Sequence, residues 1–202
     1  MMIRRAIALA LAGAWLLSAQ TPEYTSDNRL KLPAKYREWI FLSSGLGMTY
    51  GMAQRPDPAF DNVFVAPSAY REFQATGHWP EKTMFILEVR SSATHGSINR
   101  AGHYQSDVLA VEAGVKDSVR CGAEKWKYFD FAGVRDNPAV TSAGFPNGSA
   151  CWMCHSKNGA VENTFVQFYP TLLYVARRFG TFKPSYDPKA QANPHVVSQL
   201  AK

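Results

Sequence analysis

Cys151-Trp152-Met153-Cys154-His155 puts two cysteines three positions apart and a histidine directly after the second. No other stretch restricts the possible folds so tightly. This is the attachment pattern of a c-type haem. On a helical turn, side chains three apart share a face, so both sulfurs can add to the two vinyl groups of one porphyrin. The following imidazole can then reach the iron, and axial-ligand identity is a main control over haem iron. On this reading Cys151 and Cys154 carry one covalent haem c, and His155 is the metal ligand. The rivals are weaker. A structural zinc site needs four nitrogen or sulfur ligands, and the remaining cysteine, Cys121, stands far off with no CxxC around it. A thioredoxin-like pair belongs in a βαβ setting, and none is visible. A Cys151–Cys154 disulfide would leave His155 without a role. Cys121 itself reads as a buried small hydrophobe or an idle thiol.

The 202 residues suit one domain. Residues 1–19 read as a signal peptide: Arg4 and Arg5 precede an apolar run from Ala6 to Leu17, and Leu17-Ser18-Ala19 offers a small-residue exit. The run is too short to span a bilayer, although Leu17 fits its cleavage position loosely, which leaves an uncleaved anchor as the alternative. Residues 20–202 then form a single haem domain, and export agrees with haem attachment outside the cytoplasm, giving a periplasmic location. The net charge of +6 is scattered rather than clustered, which argues against a nucleic-acid partner. Docking to an acidic redox partner stays open.

Along the chain, Glu38–Leu42 and Val63–Val65 read as short strands, separated by a loop rich in glycine and proline from Ser43 to Pro58. The Gly45-Leu46-Gly47-Met48-Thr49-Tyr50-Gly51 stretch inside it departs from a nucleotide-binding loop by one residue and lacks the βαβ unit. Pro67 opens a helix that Gly77 ends. Thr83–Arg90 reads as a strand whose Phe85, Leu87 and Val89 form an apolar face, while Glu88 and Arg90 lie on the other. Ser91–Gln105 reads as a polar loop, and Asp107–Val115 and Trp126–Phe131 as strands. A second loop leads to the haem motif. Phe165, Phe168, Tyr169, Leu172, Leu173, Ala176 and Phe179 recur at helical spacing, with Pro170 placed to start the helix and Gly180 to end it. The expected fold is α+β and β-rich: an antiparallel sheet packed with a few helices, the haem attached near the C-terminus.

This combination resembles the cytochrome P-460 family, which includes the β-sheet cytochromes c′. The likeness rests on Leu32-Pro33 through Tyr36-Arg37-Glu38-Trp39, Val63-Phe64-Val65 with Pro67-Ser68-Ala69-Tyr70, Asp107 through Val115-Lys116-Asp117, and Cys151–His155 followed by Phe168-Tyr169-Pro170. The resemblance implies a mono-haem β-rich domain, usually a homodimer, with iron held by the CxxCH histidine and its sixth position open to a small nitrogen-containing molecule. Members that oxidise hydroxylamine carry a lysine, followed by glutamate, joined to the porphyrin edge. The matching pair here is Leu87-Glu88, and leucine has no nucleophilic nitrogen. Lys82 could substitute only through a shifted register. The resemblance is therefore closest to the non-cross-linked cytochrome c′-beta branch. It implies that Phe85, Leu87 and Val89 line the open side of the haem, with Phe145 about where catalytic members could hold a carboxylate and Phe60 as a further cap.

An apolar pocket with neither base nor donor suits nitric oxide or a similar small gas, bound for scavenging or sensing. It is poorly suited to proton-moving chemistry. The alternatives are a hydroxylamine-oxidising or peroxidase-like enzyme and an electron-transfer cytochrome. The last needs a sixth ligand from among Met48, Met52, Met84, His78, His95 and His103.

Overall fold

The computed structural model describes residues 21–50, 57–132 and 139–187. The signal-peptide reading at 1–19 and the candidate donor Met52 fall outside these residues.

Five strands make one antiparallel meander: β2 (Ile40–Leu46), β3 (Ala59–Val65), β4 (Met84–Ala93), β5 (Tyr104–Lys116) and β6 (Trp126–Asp130), each paired with its sequence neighbour. A small ladder joins β1 (Leu30–Lys31) to β7 (Thr141–Ser142). The helices are α1 (Pro67–Thr76), α2 (Ser118–Cys121), α3 (Ala150–Asn158) and α4 (Pro170–Phe179). This is the α+β, β-rich class expected. Pro67 and Pro170 each sit in the first turn of their helix, where a missing N–H leaves no intrahelical bond unmade. Gly77 and Gly180 end α1 and α4 in the left-handed region.

Several stretches differ from expectation, among them β3, which begins at Ala59 rather than Val63. Strand β2 runs on through Gly45 and Leu46, which pair with Asp61 and Phe60. The glycine weakens strand propensity locally, but the ladder with β3 overrides it. Likewise β4 and β5 extend into the polar stretch, pairing Ser92 with Gln105 and Ala93 with Tyr104, so the loop between them is a shorter hairpin tip. In α4, Leu172 and Ala176 are buried with Tyr169 just ahead of them, whereas Phe168 and Phe179 are exposed. The helix touches the domain along a narrower stripe than its aromatic spacing suggested.

The sheet's two faces have different covers. On one, the N-terminal segment lays Tyr24 against Phe129 and Tyr36 against Phe64. Here the buried carboxylate of Glu88 accepts hydrogen bonds from the Tyr36 hydroxyl, from Arg37 Nε at 2.7 Å and from Arg90 Nε. Burial alone would raise the Glu88 pKa. The bonds from Arg90, Tyr36 and Arg37 outweigh it and hold the carboxyl below its ordinary range.

The other face receives the C-terminal elements and α1. Trp79 packs between Phe73 and Phe85, with ring centroids 4.1 and 4.8 Å apart, and Phe85 also stacks on Tyr169. Aromatic pairs of this kind add about 0.5–1.5 kcal/mol each beyond their buried area. This second face holds the functional site.

Candidate functional site

Helix α3 begins where Ser149 caps it, accepting from the Trp152 amide at 3.4 Å. Its first turns therefore place Cys151, Cys154 and His155 toward the sheet. All three line one cavity of about 330 Å³. The two cysteines are unbridged thiols. Burial, and then the neighbouring Glu112 carboxyl, push the Cys151 thiol above its ordinary pKa, so it stays protonated at neutral pH.

His155 is held on three sides. Its ring lies between Tyr128 and Phe165, each with its centroid 4.4 Å away. Its Nδ1 is 2.9 Å from the backbone carbonyl of Asn163. A carbonyl only accepts, so Nδ1 carries the proton and Nε2 presents the lone pair. Burial pushes the His155 pKa down to about 4, the Asn163 bond acting in the opposite sense. At neutral pH the imidazole is thus uncharged, the form that binds a metal.

The Asn163 carbonyl is delivered by a tight turn between Val161 and Thr164, closed by Thr164 N–H donating to Val161 C=O at 2.8 Å. Its central residues, Glu162 and Asn163, have φ of 45° and 64°. Positive φ at both positions is the pattern of a hairpin turn. The turn comes so close to the end of α3 that a Cβ on Gly159 would lie 2.8 Å from the His155 carbonyl oxygen, from Asn163 and from Thr164. Only glycine fits there.

The opposite wall is the sheet. Leu87 pairs with Val63 on one side and Glu112 on the other, and these three line the cavity together with Phe85, Gly114, Tyr128 and Asp61. Of the residues the sequence suggested for the open side, Phe85, Leu87 and Phe145 line the cavity. Val89 and Phe60 do not. Val89 shares the face of Leu87 and is buried, but at its level of the ladder the cavity is lined by its β3 partner Asp61 instead. Phe60 alternates away from the two cavity residues of its strand, Asp61 and Val63.

The expectation of a pocket without base or donor is also corrected. Glu112 and Asp61 both line the cavity, and so does Tyr50, whose hydroxyl donates to Asp61 Oδ2 at 3.4 Å. Period-two reading of β4 alone missed them. The signal available was Glu112 itself, an acidic residue in an otherwise apolar alternation on the next strand, but which face it shares with Leu87 depends on register.

Lys82 stands outside the site. The β4–β5 register runs unbroken from Met84–Val115 to Val89–Ala110, and the Lys82 ammonium pairs with the buried Asp117 carboxylate at 2.6 Å. Among the candidate sixth ligands, Met48 lines the cavity. Met84 is buried on the far face, His78 bonds Glu162, and His95 and His103 are exposed at and beside the β4–β5 tip.

A profile of the cytochrome P460 family matches residues 33–166, from the segment that covers the Glu88 face through α3 to Val166. The chain belongs to the cytochrome P460 family. No individual curated protein matches. Membership in the cytochrome P460 family implies a haem c cofactor with its iron, and the residues present fit that group. Two free thiols three apart and a neutral imidazole with its outer nitrogen already committed converge on one cavity with largely apolar walls.

Proposed function

We propose that this member of the family is an exported, periplasmic haem c protein of the non-cross-linked, cytochrome c′-beta type. One haem is attached through Cys151 and Cys154, its iron is held by His155, and nitric oxide or a similar small nitrogen-containing molecule binds at the sixth position. The observation that carries the reading is the identity of residue 87. The strand position where catalytic relatives present an amine to the porphyrin edge is here a leucine in the cavity wall. When bound, the haem iron supplies the coordination position and the redox change. The chain's own residues hold the imidazole in one tautomer, keep it uncharged, and surround the ligand space with Phe85, Leu87, Val63 and Phe145. The family's homodimer is proposed with it.

Optical spectra of the purified ferrous protein with and without nitric oxide test this. High-spin, five-coordinate iron that changes spectrum with the gas is expected. A low-spin, six-coordinate ferrous spectrum indifferent to it refutes the proposal. Mass spectrometry of the haem peptide is expected to show two thioether ties and no third.

A second reading has its own support. Glu112 sits directly across the ladder from Leu87, and the Tyr50–Asp61 pair lines the same space. Carboxylates within a haem cavity can accept protons as a bound nitrogen compound is oxidised. Hydroxylamine oxidation without a lysine cross-link is that alternative, and steady-state assay with hydroxylamine and an electron acceptor separates the two.

A further inference from the structure

The carbonyl that orients His155 is shared. Asn163 C=O accepts from His155 Nδ1–H at 2.9 Å and also from the Tyr128 hydroxyl at 3.4 Å, while the Tyr128 ring packs on the imidazole face. Two donors on one carbonyl draw on the same electron density, so each bond is weaker than it would be alone. An outer hydrogen bond on a ligating histidine raises its basicity, and hydrogen bonding around an axial ligand is one of the levers on haem potential.

The turn that presents this carbonyl is unusual in its residues. Glu162 occupies the left-handed region, where a long side chain is disfavoured. It is held there by two side chains: the Lys116 ammonium lies 2.6 Å from one carboxylate oxygen and His78 Nδ1 lies 2.7 Å from the other. Next to it, the Trp79 indole N–H donates to Thr164 Oγ1 at 2.9 Å. Lys116 ends β5 and Trp79 follows α1, so the turn is fastened to the sheet and to the α1–β4 connection rather than to α3 alone.

We propose that Tyr128 and Glu162 are positioning residues that set the electron-donating strength of His155, Tyr128 by sharing the Asn163 carbonyl with the imidazole and Glu162 by fastening the turn that presents it. The inference rests on His155 being the iron ligand. Neither residue takes part in haem attachment.

The test is a redox titration of the haem-loaded protein together with the ferrous iron–imidazole stretching frequency, in the native chain, Tyr128→Phe and Glu162→Ala. Phenylalanine keeps the ring and removes the second donor. The ferric/ferrous equilibrium should move toward ferric by about threefold, or roughly 30 mV given 59 mV per tenfold for one electron, and the stretch should rise. Glu162→Ala should do the opposite, raising the potential and lowering the stretch. A raised potential with an unmoved stretch would be a through-space charge effect and would overturn the role given to Glu162. Tyr128→Phe with native potential and native stretch would overturn the sharing of the carbonyl. A native protein whose haem is not bound by His155 would instead remove the underlying reading, and its absorption spectrum reveals that before any variant is made.

Discussion

Replacing Glu88 by glutamine should destabilise the domain by about 3 kcal/mol. The side chain is buried with only 3 % of its surface exposed, and it accepts from Tyr36, Arg37 and Arg90 at once. Glutamine keeps the shape but has one accepting oxygen, so its amide NH2 must face a guanidinium or the tyrosine hydroxyl. Breaking a buried ion pair from one side typically costs about 3–5 kcal/mol. The lower end applies because the Arg37 side chain is 54 % exposed, and water screens its share. For a domain of this size each kcal/mol moves the melting temperature by about 2–4 °C, so a fall of about 6–12 °C is expected by circular dichroism at pH 7. The effect should depend on pH in a defined sense. The folded-state pKa of Glu88 is lowered, so its contribution is complete above the unfolded carboxyl value of about 4.3. It is lost as pH falls through the folded value, and the gap between native and variant should close there. A fall of less than about 2 °C, or a gap that does not change between pH 7 and pH 3, would refute the account.

Gly77→Ala should cost more than the usual backbone penalty of about 1 kcal/mol. The position has φ of 74°, and a Cβ would meet that of Phe179 at 2.7 Å; urea unfolding with an unchanged slope checks it. Met48→Leu should leave the optical spectrum of the haem-loaded protein unchanged, because the sixth position is read as open. Conversion from low-spin to high-spin iron would identify Met48 as a ligand. Glu112→Gln should leave nitric oxide affinity within about threefold if the protein only binds the gas. A fall of about a hundredfold or more in hydroxylamine turnover, the low end of what proton transfer contributes, would favour the enzymatic reading.

Much of this molecule was legible in its residues because the signals are local. The pattern proposed for haem attachment needs only spacing, so Cys151, Cys154 and His155 stood out as candidates without a fold, and the structure brings all three to one cavity. The absence of an amine at residue 87 is likewise a matter of identity at one position. Alternation in Thr83–Arg90, and proline and glycine at the ends of α1 and α4, report the backbone directly. What tertiary structure alone decided are pairings between distant segments. Periodicity tells which residues share a face of their own strand, but not which neighbour stands opposite or how far a cover extends. That is why Glu112 and Asp61 entered the cavity unannounced, why Val89 and Phe60 fell outside it, and why the carbonyl that steadies His155 proved to belong to Asn163. Chemistry carried by one side chain travels with the sequence; chemistry made by two that meet waits on the register and turns that bring them together.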